Sequence, residues 1–213
     1  ITAVKEQLPP DDVQALHFAD ILLQNIELGK YIDDSAELNA QRDRMMAENT
    51  LWILQQEQAR GNSRILISGH NNHIMQCENA GTPVLGSLLA ENLGDGYFAI
   101  GTDFYKSVCN LPKPYTGKRI THTFYSYDPL AKASKKCGFD VSFLDFSKVP
   151  EGSALMEYIA NSVPMGSLGE YYSILMNNFV PRSYRVQRIP QDAYDAMVFV
   201  TDTAPIEIES LNK

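Results

Sequence analysis

Arg64-Ile65-Leu66-Ile67-Ser68-Gly69-His70-Asn71-Asn72-His73 is the stretch that organises the chain. Ile65, Leu66 and Ile67 make a short apolar run with two β-branched members, the pattern of a strand covered on both faces in a parallel sheet. Gly69 permits a sharp turn, and the four residues after it place two imidazoles and two amides beyond the strand's carboxyl end. In open α/β sheets ligands bind at that edge, because the backbone leaves the sheet there and the loops fan apart. Four consecutive polar side chains therefore predict a site. A solvated loop is the competing reading, since His-x-x-His alone is a weak motif.

Working outward, Thr82-Pro83 reads as the cap and first residue of an amphipathic helix over 84–93 that Gly94 stops. Residues 97–101 return as a strand, which predicts a strand-helix-strand unit with a right-handed crossover. The β-rich runs 106–109 and 119–127, separated by a loop with Pro and Gly, predict a hairpin. His122 shares a strand face with Ile120 and Phe124 and reads as a half-buried structural residue. Asp128-Pro129 starts a short helix ended by Gly138; 139–146 reads as a strand, 151–160 as a helix, 166–176 as either, and 197–201 as a buried strand. Together these predict an α/β fold, a mostly parallel β-sheet flanked by α-helices with a β-hairpin at one side, forming a single domain over 1–213.

Upstream, Pro9-Pro10-Asp11-Asp12 precedes a helix predicted over 13 to about 31. Leu16, Ala19, Leu22, Leu23 and Ile26 recur at helical spacing, and Phe18 and Ile21 widen the apolar face, so this helix is expected to be mostly buried. His17 and Asp20, one turn apart, read as a structural pair. Asp34 to Glu37 has the form of a capping box opening a second helix that runs to about Arg60 and ends at Gly61. On it Leu38, Arg42, Met45, Asn49 and Trp52 step by four, three, four and three, forming one stripe. Arg42 and Asn49 are thus expected to face the core and support the His70 loop. The alternative has Arg42 reaching the rim and Asn49 capping a neighbour.

The 213 residues are 44% hydrophobic, enough for one substantial core. A net charge of −8 and a pI near 5.0 argue against nucleic acid as the main partner, because phosphate binding needs clustered Lys and Arg. No apolar run approaches the roughly 20 residues that span a bilayer, and no membrane partner is expected. Cys77, Cys109 and Cys137 are odd in number and unrelated in spacing, and they read as free thiols. Localisation stays open, with the cytoplasm favoured.

The 64–73 stretch resembles the His-Asn-x-His segment of the erythromycin esterase-like family, which includes macrolide-lactone hydrolases and succinoglycan biosynthesis proteins. In the same order, Arg42-Asp43-Arg44-Met45-Met46-Ala47-Glu48-Asn49 with Trp52 resembles the family's Arg-Asp-x-x-Met-Ala-x-Asn helix. Leu85-Gly86, Tyr97-Phe98-Ala99-Ile100-Gly101, Ser167-Leu168-Gly169 and Asp195-Ala196-Met197-Val198-Phe199 are similar to its later segments. Ser68-Gly69 depart from it, standing where members usually carry a bulkier residue and Ala. The resemblance covers most of the chain. It implies hydrolysis of a small-molecule carboxylic ester or lactone, with no cofactor. It also implies a general-base histidine and a neighbouring glutamate in a Gly-Glu-x-x-His-Gly motif that this sequence lacks. The chain thus resembles the C-terminal half of such a protein, and the N-terminal half is an expected partner.

Ester hydrolysis needs an activated water and stabilisation of the oxyanion. His70 and His73 are the candidate catalytic residues, since an imidazole exchanges protons near neutral pH. The resemblance gives them substrate orientation or oxyanion stabilisation; Asn71 and Asn72 are candidate substrate contacts. No Gly-x-Ser-x-Gly elbow supports a serine nucleophile. Two alternatives stay open. One is a metal-dependent hydrolase using His70, His73 and Cys77, with Glu78 as the nearest acid; the other is a non-catalytic domain that binds a glycan or small polar ligand.

Overall fold

Two local signals bracket the longest helix. Asp34 accepts hydrogen bonds from the amides of Ala36 and Glu37, both at 3.1 Å, and so opens the helix α3, Ser35–Ala59. Gly61 closes it at φ +91°, a conformation that costs glycine little. Glu37 does not return the bond of a full capping box; its carboxylate accepts from Gln41 at 2.7 Å. The computed structural model describes residues 1–113, 115–126, 128–168 and 185–205. The chain folds as two compact units, Ile1–Tyr97 and Phe98–Lys213. Among the described residues no helix is long and apolar enough to cross a membrane.

The first unit is helical. After the single turn α1, Thr2–Lys5, comes α2, Val13–Leu28, whose first turn is held by Asp12 accepting from Ala15 at 3.0 Å. A 3-10 turn, Gly29–Tyr31, extends it to the expected end. α2 meets α3 through the His17 ring stacked on Trp52, with centroids 3.7 Å apart and planes 7° from parallel. Gln24 adds a hydrogen bond from Asn49 at 2.9 Å. The expectation of a mostly buried α2 is corrected: only Ala19 is buried, while Phe18, Leu22 and Ile26 are more than half exposed. α3 meets the side of this helix that carries His17 and Gln24, and the apolar stripe through Phe18, Leu22 and Ile26 stays open. His17 takes Trp52 as its partner instead of Asp20, which pairs with Lys5.

The opposite side of α3 packs on α5, Leu85–Leu93. Ala47, Leu85 and Leu89 are buried together there, and Met46, Leu51, Ile67 and Tyr97 pack around them. α5 starts two residues later than expected. Thr82 is drawn into a tight turn, exchanging backbone hydrogen bonds with Asn79 at 2.8 and 3.0 Å, so Val84 and Ser87 form the cap. Residues 65–67 are also corrected, for they form no strand. Leu66 is 93% exposed while Ile65 and Ile67 are half-buried. Three apolar residues satisfy a strand pattern, but a strand needs a neighbour for its backbone groups, and none of the described residues supplies one.

The second unit is built on β1, Ile100–Pro112, which merges the two runs expected at 97–101 and 106–109. It pairs antiparallel with β2, Arg119–Tyr125, as the predicted hairpin, with Cys109 opposite His122. On its other side it runs parallel to β6, Ala196–Thr203, which in turn pairs antiparallel with β3, Val141–Asp145. The sheet order is β2-β1-β6-β3. A separate antiparallel pair joins β4, Val163–Gly166, to β5, Arg185–Arg188. Helices α6, Pro129–Lys136, and α7, Ala154–Ile159, complete the unit, contributing the fully buried Ala131 and Ile159.

The architecture is therefore α/β with helices, a sheet and a hairpin at one side, as expected. Its strand directions are mixed, one parallel pair and two antiparallel, instead of mostly parallel. Of the stretch 166–176, Gly166 ends β4 and residues beyond 168 lie outside the described ones.

Candidate functional site

One helical turn carries the histidine pair. His70 is extended, at φ −65° and ψ 149°, and caps the four-residue helix α4, Asn71–Ile74, whose first bonds run from the amides of His73 and Ile74 to the His70 carbonyl. A separation of three residues puts both rings on one side of that turn. Their centroids lie 6.3 Å apart with planes 26° from parallel. His70 is exposed, and the His73 side chain is 24% exposed. Asn71 and Asn72 are half-buried on the same turn and engaged in polar contacts.

The back of this turn is fixed from three directions. Met75 has no exposed surface. The Tyr97 hydroxyl donates to the Ile74 carbonyl at 2.6 Å. The third support is Gly86 on α5, where a Cβ would overlap the carbonyl groups of Ile74 and Met75.

Asp43 supplies the site's buried charge. It is 3% exposed on α3, and its Oδ1 lies 2.7 Å from His73 Nδ1 while accepting the Leu85 amide at 3.1 Å. One carboxylate oxygen thus ties α3, α4 and the start of α5 together. Sequence reasoning singled out the stripe through Arg42 and Asn49 and missed this residue. The structure leaves Arg42 exposed, and Asn49 gives its amide to Gln24 on α2, so neither bonds the histidine turn. The available signal was the spacing of Asp43, Ala47 and Leu51, three residues at steps of four that put a carboxylate in line with small and apolar companions.

Cys77, the third residue of the metal alternative, is a half-buried free thiol. Among the described residues no group of three or more His, Cys, Asp or Glu is gathered to hold a metal ion. His122, on the hairpin, stands edge-on to Phe124 at 4.9 Å, and burial lowers its pKa.

The second unit contains another buried polar cluster, with no histidine. Asp103 on β1, Asp128 before α6 and Tyr158 on α7 line one small cavity with Met165, Met197 and Phe199. Asp128 is paired with Arg185 at 3.2 Å and accepts the Ser126 hydroxyl at 3.0 Å. Burial pushes the Asp103 carboxyl up to about 7, and the neighbouring Asp128 charge adds to the rise. Burial also raises Asp128, against the pull of Arg185. Tyr158 is pushed up to about 12 by burial and by the two carboxylates. No sequence spacing joins these residues, which come from four separate elements.

Comparison with curated proteins finds no match. Three solved structures share the fold. A succinoglycan biosynthesis protein superposes with a TM-score of 0.75 at 16% identity, over 95% of this chain and 48% of that one. A Bacillus cereus protein gives 0.67 at 21% identity, over 84% and 42%. An erythromycin esterase variant, EreC in its open conformation, gives 0.51 at 16% identity, also over 84% and 42%. The chain therefore spans somewhat under half the length of each. The model of the erythromycin esterase family matches residues 8–203, and by that match, running through both units, this chain belongs to the erythromycin esterase family of hydrolase-like domains.

Proposed function

We propose that residues 1–213 are a single domain, the C-terminal part of an esterase that hydrolyses a small-molecule carboxylic ester or lactone with water. His70 and His73 line one wall of its cleft, touching the substrate and the oxyanion that forms on attack. Asn71 and Asn72 hold substrate beside them. Water activation belongs to a histidine in a complementary N-terminal half, and this chain alone has little or no activity. The observation that carries the reading is the histidine turn itself. Two imidazoles share one side of a turn whose back is pinned by Met75, Tyr97 and Gly86, an arrangement preorganised for contact on its open side.

The test is hydrolysis of ester and macrolide-lactone substrates by the protein joined to its N-terminal half. H70N and H73N are expected to lower kcat/KM about 100-fold or more while leaving the thermal midpoint near its starting value. Binding of a glycan or polar ligand without turnover by the joined protein would replace this reading with the non-catalytic one.

A further inference from the structure

Asp43 determines which atom of His73 is available for chemistry. Its Oδ1 already accepts the Leu85 amide, and a carboxylate can only accept, so the proton of the 2.7 Å contact resides on His73 Nδ1. In the neutral ring the other nitrogen, Nε2, then carries a lone pair. Among the described residues Nε2 has no hydrogen-bond partner, and it is not shut away from solvent. A neutral His73 held this way cannot donate a hydrogen bond to substrate. It donates only as the imidazolium, whose charge the buried Asp43 offsets. Its titratable neighbours are Asp43 from α3 and His70 on its own turn. His70 is exposed, and among the described residues no side chain fixes either of its nitrogens.

From this geometry we infer that His73 is the general acid of the ester hydrolysis proposed above, and that Asp43 is the positioning residue that holds it ready to protonate the leaving group. The inference rests on that hydrolytic reading. Attack of water on the carbonyl carbon forms the new C–O bond, and the water's proton passes to the general base. Collapse of the tetrahedral intermediate breaks the bond to the leaving alkoxide. The electron pair leaves with that oxygen, which takes the Nε2 proton of His73. His73 is left neutral, with its Nδ1 proton retained and still donated to Asp43 Oδ1, and it regains the Nε2 proton from solvent.

Leaving-group dependence separates this role from oxyanion stabilisation. A 4-nitrophenyl ester releases a weakly basic phenolate that needs no general acid, whereas an alkyl ester or lactone releases an alkoxide that does. The D43N variant is informative because its side-chain amide oxygen still accepts from Leu85 and His73, so it keeps both hydrogen bonds and removes only the charge. In the protein joined to its N-terminal half, H73N and D43N are expected to lower kcat for an alkyl ester about 100-fold or more, for the 4-nitrophenyl ester by less than about 10-fold, with KM little changed. Equal losses on both substrates would overturn the general-acid role. Nitrogen-15 NMR of the His73 ring in this chain, independent of any activity, is expected to show the neutral form protonated on Nδ1; protonation on Nε2 would overturn the Asp43 assignment. If the joined protein hydrolyses no ester, the hydrolytic reading and the general-acid role fall together, while the NMR result still decides the Asp43–His73 contact.

Discussion

Gly86, in the first turn of α5, lies so close to Ile74 that a Cβ on it would overlap the Ile74 carbonyl group. The colliding atoms are backbone, which cannot swing aside as a side chain would. G86A is therefore expected to cost about 1–3 kcal/mol, the range of overpacking in a tight core, and to displace the histidine turn. At Gly96 the nearest neighbour to a Cβ is Leu93 at 3.6 Å, an ordinary contact, so G96A serves as the control. Urea unfolding of the two variants checks the contrast, and equal midpoints would contradict it.

Asp103 makes stability depend on pH in a defined direction. Its carboxyl titrates near 7 in the folded chain and near 3.8 when exposed, so between those values the folded state holds the extra proton. Stability from this group is present below about 3.8 and is lost as pH rises towards about 7. D103N cannot ionise and escapes the loss. Its stability relative to the parent is expected to grow from pH 4 to pH 8 by about 1–3 kcal/mol, a figure that allows for partial solvent screening. Parallel curves from denaturant unfolding at several pH values would refute it.

His17 stacks on Trp52 with its Nε2 buried and without a hydrogen-bond partner among the described residues. Phenylalanine retains a flat ring for the stack and carries no polar atom. H17F is expected to raise stability by about 1 kcal/mol, the cost of one unsatisfied buried group, seen as a higher thermal midpoint. A drop of similar size would show that the imidazole has a partner in solution.

Leu66 and Ile67 adjoin in sequence and differ in environment. Leu66 is 93% exposed, while Ile67 packs on the Ala47, Leu85 and Leu89 cluster. In this chain L66S is expected to shift stability by less than about 0.5 kcal/mol and I67A to lower it by about 1–2 kcal/mol. Similar losses at both positions would restore the strand covered on two faces.

Much of the local structure was legible in the sequence because its causes are local. Asp34 and Gly61 mark the ends of α3 through the unpaired backbone groups of a helix terminus, and Gly94 ends α5 in the same way. Two β-rich runs and the Pro- and Gly-containing loop between them marked the β1–β2 hairpin. The sequence reading placed His70 and His73 together in a loop; their closeness comes from three-residue spacing on the helical turn that the structure forms there.

What tertiary structure alone decided is which face of each element meets which neighbour. Helical spacing gives the angle between two stripes of α3 but not the direction either one points. Packing turned Asn49 towards α2 and Asp43 towards His73. The run 65–67 has the composition of a strand, but pairing requires a second strand at hydrogen-bonding distance, and a short segment's own residues carry no record of one. Asp103, Asp128 and Tyr158 line one cavity, with Arg185 paired to Asp128, only because the sheet and its helices bring four distant segments together, and low solvent access there raises the pKa of the two carboxyls and the phenol.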